Sequence, residues 1–201
     1  QGQLRLGIPS LLSESGIMGM LKRFKNVFEG VNLIIMAADA QALKDMVSEG
    51  RLDARICVDE AHPQGRVLWS EGFHWVCAAD KSVLQKYPLP VGVLSINEPF
   101  RDYVTGLLDD TGPQWLEAFT SDSFAKIYTA AAAGQVVAAV PKSLITKDVV
   151  VIDNEMNLPR LTEVPFAIYT NAALSREPKK QQIIDTLGDF LEEKMAKLVT
   201  A

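Results

Sequence analysis

Histidine and cysteine are scarce in this chain, with two of each among 201 residues. With only His62 and His74, and no Cys/His or His/Glu spacing of a metal motif, no metal centre is expected, and no cofactor. Cys57 and Cys77 lie inside the apolar runs ARICVD and HWVCAA. That setting fits two reduced, buried thiols of a cytosolic chain, with no obvious activating cation beside either. Positive charge is also in deficit: 20 Lys and Arg face 25 Asp and Glu, a net charge of −5. Phosphate backbones demand a basic patch, which excludes a grip on nucleic acid by this segment alone. Lys22, Arg23 and Lys25 form the densest basic group, and a solvated helix face accounts for them. No apolar run approaches the roughly 20 residues that cross a bilayer, and no secretory leader pattern opens the chain, so a cytoplasmic location without a membrane partner is expected. Catalytic signatures are missing too. GIPSLLSESG lacks phosphate-loop spacing and there is no G-x-S-x-G turn, so no enzyme is expected.

What is present is an ordinary globular composition, 48% apolar and 22% charged. The first sixty residues repeat one unit of apolar strand, polar junction and amphipathic helix. LRLGIP (Leu4 to Pro9) leads into a helix ending at Phe28, striped by Ile17, Met20, Leu21, Phe24, Val27 and Phe28. VNLIIMAAD leads into a second helix that buries Leu43, Met46 and Val47 and stops at Gly50, and the strand LDARICV follows. Consecutive units of this kind make parallel strands with crossover helices, and such sheets bind ligands at their carboxyl ends.

Long extended runs follow in RVLWSEGFHWVCAAD, broken at Glu71-Gly72, and then a second alternating set begins. Strand VGVLS precedes Asn97-Glu98-Pro99, which opens a helix burying Phe100, Tyr103, Val104, Leu107 and Leu108 and stopped by Gly112-Pro113. QWLEAF is a strand; Ser121-Asp122-Ser123 caps a helix running to Gly134; VVAAV, VVVI and VPFAIYT are further strands. A last helix opens at Pro178, striped by Ile184, Leu187, Leu191, Met195 and Leu198. Trp69, Trp75 and Trp115 fall in strands, where core packing is their expected role. The pattern predicts an α/β protein of two lobes, residues 1–79 with 161–201 and residues 80–160, crossed twice by the chain.

Three passages, LRLGIPSLLSESGIMGMLKRF, VNLIIMAADAQALKDMVSEGRLDARI and SDSFAKIYTAAAAGQVVAAVPKSL, stand in an order that resembles the effector-binding domain of LysR-type transcriptional regulators. The resemblance covers residues 3–196. Within FHWVCAADKSVLQKYPLPVGVLSINEPFRDYV it narrows to the LrhA/HexA/PecT branch, regulators of motility and virulence. It implies two Rossmann-like lobes joined by two crossover strands, as in type 2 periplasmic binding proteins, with a small-molecule effector between them. It further implies a homodimer or higher homo-oligomer, with the run Ala130 to Ala133 facing a closely approached helix at the subunit interface. DNA contact is expected only through a winged helix-turn-helix outside this sequence. A free-standing solute-binding protein of the same architecture is the alternative.

Under that fold the ligand meets strand-to-helix junctions, where unpaired backbone N–H groups gather. The expected effector contacts are Ser10, Leu11, Ser13, Asp39, Ala40, Asn97, Phe100, Arg101, Ser121, Ser123 and Phe166. Ser, Asn and Asp at these places also serve as helix caps in any protein. Arg101 reads as an anion clamp or as an ion pair with an acidic neighbour such as Asp102. Carboxylate-binding relatives commonly offer hydroxyls at the first two junctions, whereas this chain has Leu11-Leu12 and Asp39-Ala40. The expected effector is accordingly mixed or largely apolar in character.

Overall fold

The computed structural model describes residues 2–12, 16–95 and 98–200, without the side chains of residues 174 and 175. Ser13 and Asn97 lie outside the described residues. The chain forms two compact units, Gln1–Glu71 with Val164–Ala201 (unit 1), and Gly72–Glu163 (unit 2).

Unit 1 is built on β1 (Gly2–Pro9), paired in parallel with β2 (Val31–Ala38) from Gly2↔Val31 to Pro9↔Ala38, and with β3 (Ala54–Val58) at Leu6↔Ala54. Next to β3 runs β10 (Val164–Thr170), antiparallel, and beyond it β4 (Arg66–Glu71), antiparallel again. The sheet order is β2-β1-β3-β10-β4. Alternation along β1 puts Leu4, Leu6 and Ile8 on one fully buried face and Arg5 and Gly7 on the other. A Cβ at Gly7 would lie 2.7 Å from both Leu43 and Leu52, so the bare backbone is what admits α2 (Ala40–Ser48). Gly50 ends that helix region at φ +73°, as its place in the sequence predicts.

The stripe on α1 (Gly16–Val27) is narrower than its periodicity predicts. Ile17, Leu21 and Phe24 are buried, whereas Val27 is 65% exposed. Phe28 takes its place, with its ring 4.6 Å from that of Phe24, while Phe190 of α5 (Pro178–Thr200) closes the group at 5.5 Å. Ile184, Leu187, Leu191 and Met195 are the buried row of α5.

Unit 2 repeats the plan. Here β6 (Leu89–Leu94) pairs in parallel with β7 (Trp115–Ser121) and β8 (Val137–Pro141), while β5 (Phe73–Ala78) and β9 (Val149–Val151) add antiparallel strands. The order is β7-β6-β8-β5-β9. Two helices accompany it, α3 (Pro99–Thr111) and α4 (Phe124–Ala132). On α3 the buried residues are Phe100, Val104 and Leu108, with Tyr103 and Leu107 only half-buried. Trp75 is fully buried and donates from its indole Nε1 to the Pro159 carbonyl at 2.8 Å. Trp115 departs from its expected core role: β7 is an edge strand, and the half-buried indole donates to Asp109 Oδ1 at 2.8 Å. In the alanine run, Ala130 and Ala131 are buried where α4 packs on strands β8, β6, β7 and β5 of its own unit, while Ala132 is half-buried and Ala133 exposed.

Candidate functional site

In unit 1, β1 ends at Pro9 and passes into a short 3-10 turn, Ser10–Leu12. Ser10 is half-buried there, while Leu11 and Leu12 turn inward, 4% and 1% exposed. The second junction is organised by Asp39, whose extended backbone (φ −68°, ψ 162°) makes it the N-cap of α2. Its Oδ1 accepts from Ala42 N at 2.8 Å, satisfying one of the helix's orphan donors, and Ala40 opens the first turn. The carboxylate therefore already occupies the positive end of the helix. Phe166, on β10, is wholly buried and stacked on Trp69 at 4.9 Å, so its ring stands behind the surface rather than on it.

Unit 2 brings two of the expected residues, Ser121 and Ser123, to one place. Ser95 N donates to the Ser121 carbonyl at 2.9 Å, and Ser121 Oγ accepts from Ser123 N at 3.2 Å. Ser123 is the N-cap of α4, with extended backbone (φ −132°, ψ 130°), and its carbonyl accepts from Ile127 N at 3.2 Å. Its hydroxyl makes no capping bond. The Oγ is buried and has no partner among the described residues, in a side chain 3% exposed. Buried hydroxyls are nearly always hydrogen-bonded, which sets Ser123 apart from the other cap residue, Asp39, whose side chain does cap its helix.

Phe100 packs beneath this junction, its ring 5.2 Å from Phe124 and 4.4 Å from Phe73. A hollow of about 10 Å³ lined by Phe100, Arg101 and Phe124 is what remains between them, which is room for no more than a water. Arg101 is an ion pair, but with Glu117 of β7 and not with Asp102. Its Nη2 meets Glu117 Oε2 at 2.6 Å, and Nη1 donates to the Leu94 carbonyl at 2.8 Å. The Arg101 guanidinium, and then the Thr120 hydroxyl, hold the Glu117 carboxyl below its ordinary range.

His74 has a structural partner. His74 Nδ1 sits 2.7 Å from Asp153 Oδ2, and the other oxygen of Asp153 accepts from Trp75 N at 2.8 Å. Both cysteines are free and buried, as the sequence predicts. A cation does stand by Cys57, contrary to the sequence reading: Arg55 Nη1 donates to its Sγ at 2.9 Å. Burial nevertheless dominates and pushes the Cys57 thiol up to about 12, which favours the neutral form of the sulfur. No cluster of metal-binding side chains occurs among the described residues.

Two sheets of one strand order, each with helices entering from the carboxyl ends of parallel strands, define a small-molecule-binding α/β domain of the type 2 periplasmic-binding-protein class. The chain belongs to the LysR substrate binding domain family, whose model matches residues 1–196. That family is the effector-binding module of LysR-type regulators, which favours this reading over a free-standing solute-binding protein. One relative, the HTH-type transcriptional regulator PecT of Dickeya dadantii, is 22% identical over 172 residues, spanning 85% of this chain and 54% of that protein. The chain thus spans about half the length of that regulator. The regulatory domain of HypT from Salmonella typhimurium superposes with a TM-score of 0.76 at 17% identity, covering 97% of this chain and 96% of that one. The reduced OxyR regulatory domain of Pseudomonas aeruginosa gives 0.74 at 19% identity, covering 95% and 97%. These likenesses establish the fold.

Proposed function

We propose that the chain is the sensing module of a cytoplasmic, dimeric LysR-type regulator. A small effector held at its strand-to-helix junctions biases one arrangement of the protein, and a winged helix-turn-helix elsewhere in the regulator reads DNA. The module performs no catalysis. The observation that carries this reading is the buried hydroxyl of Ser123, which has no hydrogen-bond partner among the described residues and does not cap α4. In unit 2 the candidate contacts are Ser121 and Arg101, and in unit 1, taken by itself, they are Ser10, Asp39 and Ala40; Ser13 and Asn97, also expected from the sequence, lie outside the described residues. Leu11, Phe100 and Phe166 supply the apolar backing. Carboxylates already stand at two helix entries, with Asp39 on α2 and Asp122 preceding α4. The effector is therefore a molecule of mixed polarity carrying a hydroxyl or amine, and not a simple carboxylic acid.

A thermal-shift screen of this chain against bacterial metabolites tests the proposal. A specific ligand at about 100 times its Kd stabilises by roughly 2.7 kcal/mol, a rise of roughly 5–10 °C at this size. Ser123→Ala is expected to weaken such a ligand by about tenfold, the cost of one good hydrogen bond. A ligand whose affinity is indifferent to both Ser123→Ala and Asp39→Ala would overturn the placement.

A further inference from the structure

Unit 1 carries an open groove of about 440 Å³ that none of the expected contacts line. Its walls come from the C-terminal half of α2 (Lys44, Val47, Ser48), the start of β3 (Arg55), the crossover through Glu60 and His62, and the chain leaving β10 at Tyr169. Asp39 and Ala40, at the opposite end of α2, take no part. At the base lies Arg55, 4% exposed. A buried guanidinium requires acceptors for its donor fork. Among the described residues Arg55 has a single oxygen partner, Glu60 Oε1 at 3.0 Å. Its other hydrogen bond goes to the neutral sulfur of Cys57, a weak acceptor, and its plane lies over the Tyr169 ring at 4.9 Å.

Glu60 is the weak member of this set. Its side chain is 39% exposed, on a crossover without regular structure, and it bridges Arg55 to Lys44, 3.6 Å from its other oxygen. One half-exposed carboxylate thus serves two cations, of which one is buried. The pocket is otherwise stiff. Tyr169 is locked by its hydroxyl, which donates to Asp59 at 2.8 Å and accepts from Glu60 N at 2.9 Å. The negative end of α2 is masked too, since the Val47 carbonyl accepts from Asn171 Nδ2 at 2.6 Å and from Gly50 N at 3.1 Å.

The geometry points to a second ligand site, a receptor for a small polar carboxylate. The incoming carboxylate takes the place of the Glu60 side chain on the Arg55 fork, with Lys44 as its second cation and Ser48 and His62 at its rim. Glu60 is the built-in occupant, which swings into solvent when the site fills. This goes beyond the proposed effector contacts and uses none of them.

The test is titration of the ¹⁵N-labelled chain with malate, a hydroxylated carboxylate, followed at backbone amides, with choline as a cationic control. Saturable shifts at Arg55, Glu60 and Tyr169 are expected with malate alone. Glu60→Gln, which removes the competitor, is expected to tighten binding, and Lys44→Gln to loosen it, each by roughly three- to fivefold, the scale of a half-exposed charge pair. Lys44 is exposed, and Glu60→Gln keeps an amide oxygen as an acceptor for Arg55; melting curves of both variants check that the fold is retained. Absence of saturation in both the native chain and Glu60→Gln would overturn the site. So would binding of choline that Glu60→Gln weakens, because Glu60 would then be a ligand for cations. Malate shifts confined to Ser121–Phe124 would also overturn it, and would leave the placement of the effector contacts standing while removing the exclusion of carboxylic acids there.

Discussion

In both sheets the strand next to the parallel edge carries a glycine opposite a helix, Gly7 in β1 below α2 and Gly92 in β6 beside α4. Around these matching positions the two interiors differ. Beside β1, unit 1 buries charge: Asp53, 2% exposed, accepts from the Arg5 guanidinium at 2.8 Å, the Arg5 backbone N–H at 2.7 Å and Lys180 at 3.2 Å. Unit 2 buries rings, with Phe73, Phe100 and Phe124 mutually 4.4–5.4 Å apart. One strand order thus tolerates two kinds of local group, an ionic one beside β1 and an aromatic one beside β6. The ionic one is directional and pH-dependent; the aromatic one responds to volume alone.

Three perturbations sharpen this contrast. Phe124→Ala is expected to act most strongly, costing about 3–5 kcal/mol, since it opens a cavity within the ring cluster. Hydrogen exchange should show protection lost across β6 and β8 and retained in β1 and β2; uniform loss would mean that the interiors are not separately stabilised.

Asp53→Asn comes next, at about 2–3 kcal/mol near neutral pH, because it breaks charge-assisted bonds while keeping the shape. This effect depends on pH. Burial pushes the Asp53 carboxyl up, but the hydrogen bonds from Arg5 and Lys180 together outweigh it and hold the group below its ordinary 3.8. A depressed carboxyl stabilises the fold fully above its unfolded value and loses that contribution as pH falls through the folded one. Denaturation of the native chain and Asp53→Asn should therefore converge as pH falls below about 4, and a gap that persists there would remove the ionic account.

The smallest effect concerns the glycines. A Cβ at Gly7 meets two buried leucines at 2.7 Å, whereas at Gly92 it meets Val136 at 3.0 Å and Ile127 at 3.2 Å. Gly7→Ala is expected to cost about 1–3 kcal/mol and Gly92→Ala about 1 kcal/mol or less, read from melting curves. Equal costs would show that the α2 side can yield as easily as the α4 side.

Much of this was legible in the chain because one face of each element is buried and the burial period is written in the residues. Leu4-Leu6-Ile8, Leu43-Met46-Val47 and the cap at Asp39 are local patterns with local causes. Val27 and Trp115 escaped because periodicity says nothing about the last turn of a helix or which strand stands at an edge. Arg101 was visible as a charge in a first helical turn, but its partner Glu117 lies on a neighbouring strand, a pairing no local pattern encodes. Arg55 offered a signal that went unused: a cation within the apolar run LDARICV must have partners wherever that strand is buried. Ser123 was singled out as a cap, yet only coordinates show that its hydroxyl caps nothing.

The path of β10 has a consequence for how the protein is made. Every strand of the second sheet lies within Gly72–Glu163, so that sheet has all its parts while synthesis is still under way. The first sheet has no such luck: β4 borders only β10, and its edge waits unzipped for roughly ninety residues' worth of translation, several seconds at about 5–20 residues per second. For that interval the nascent chain carries an unmatched ribbon ending at Glu71 beside a finished neighbour, and holding it clear of other ribosomes' products falls to chaperones or to the speed of the ribosome itself.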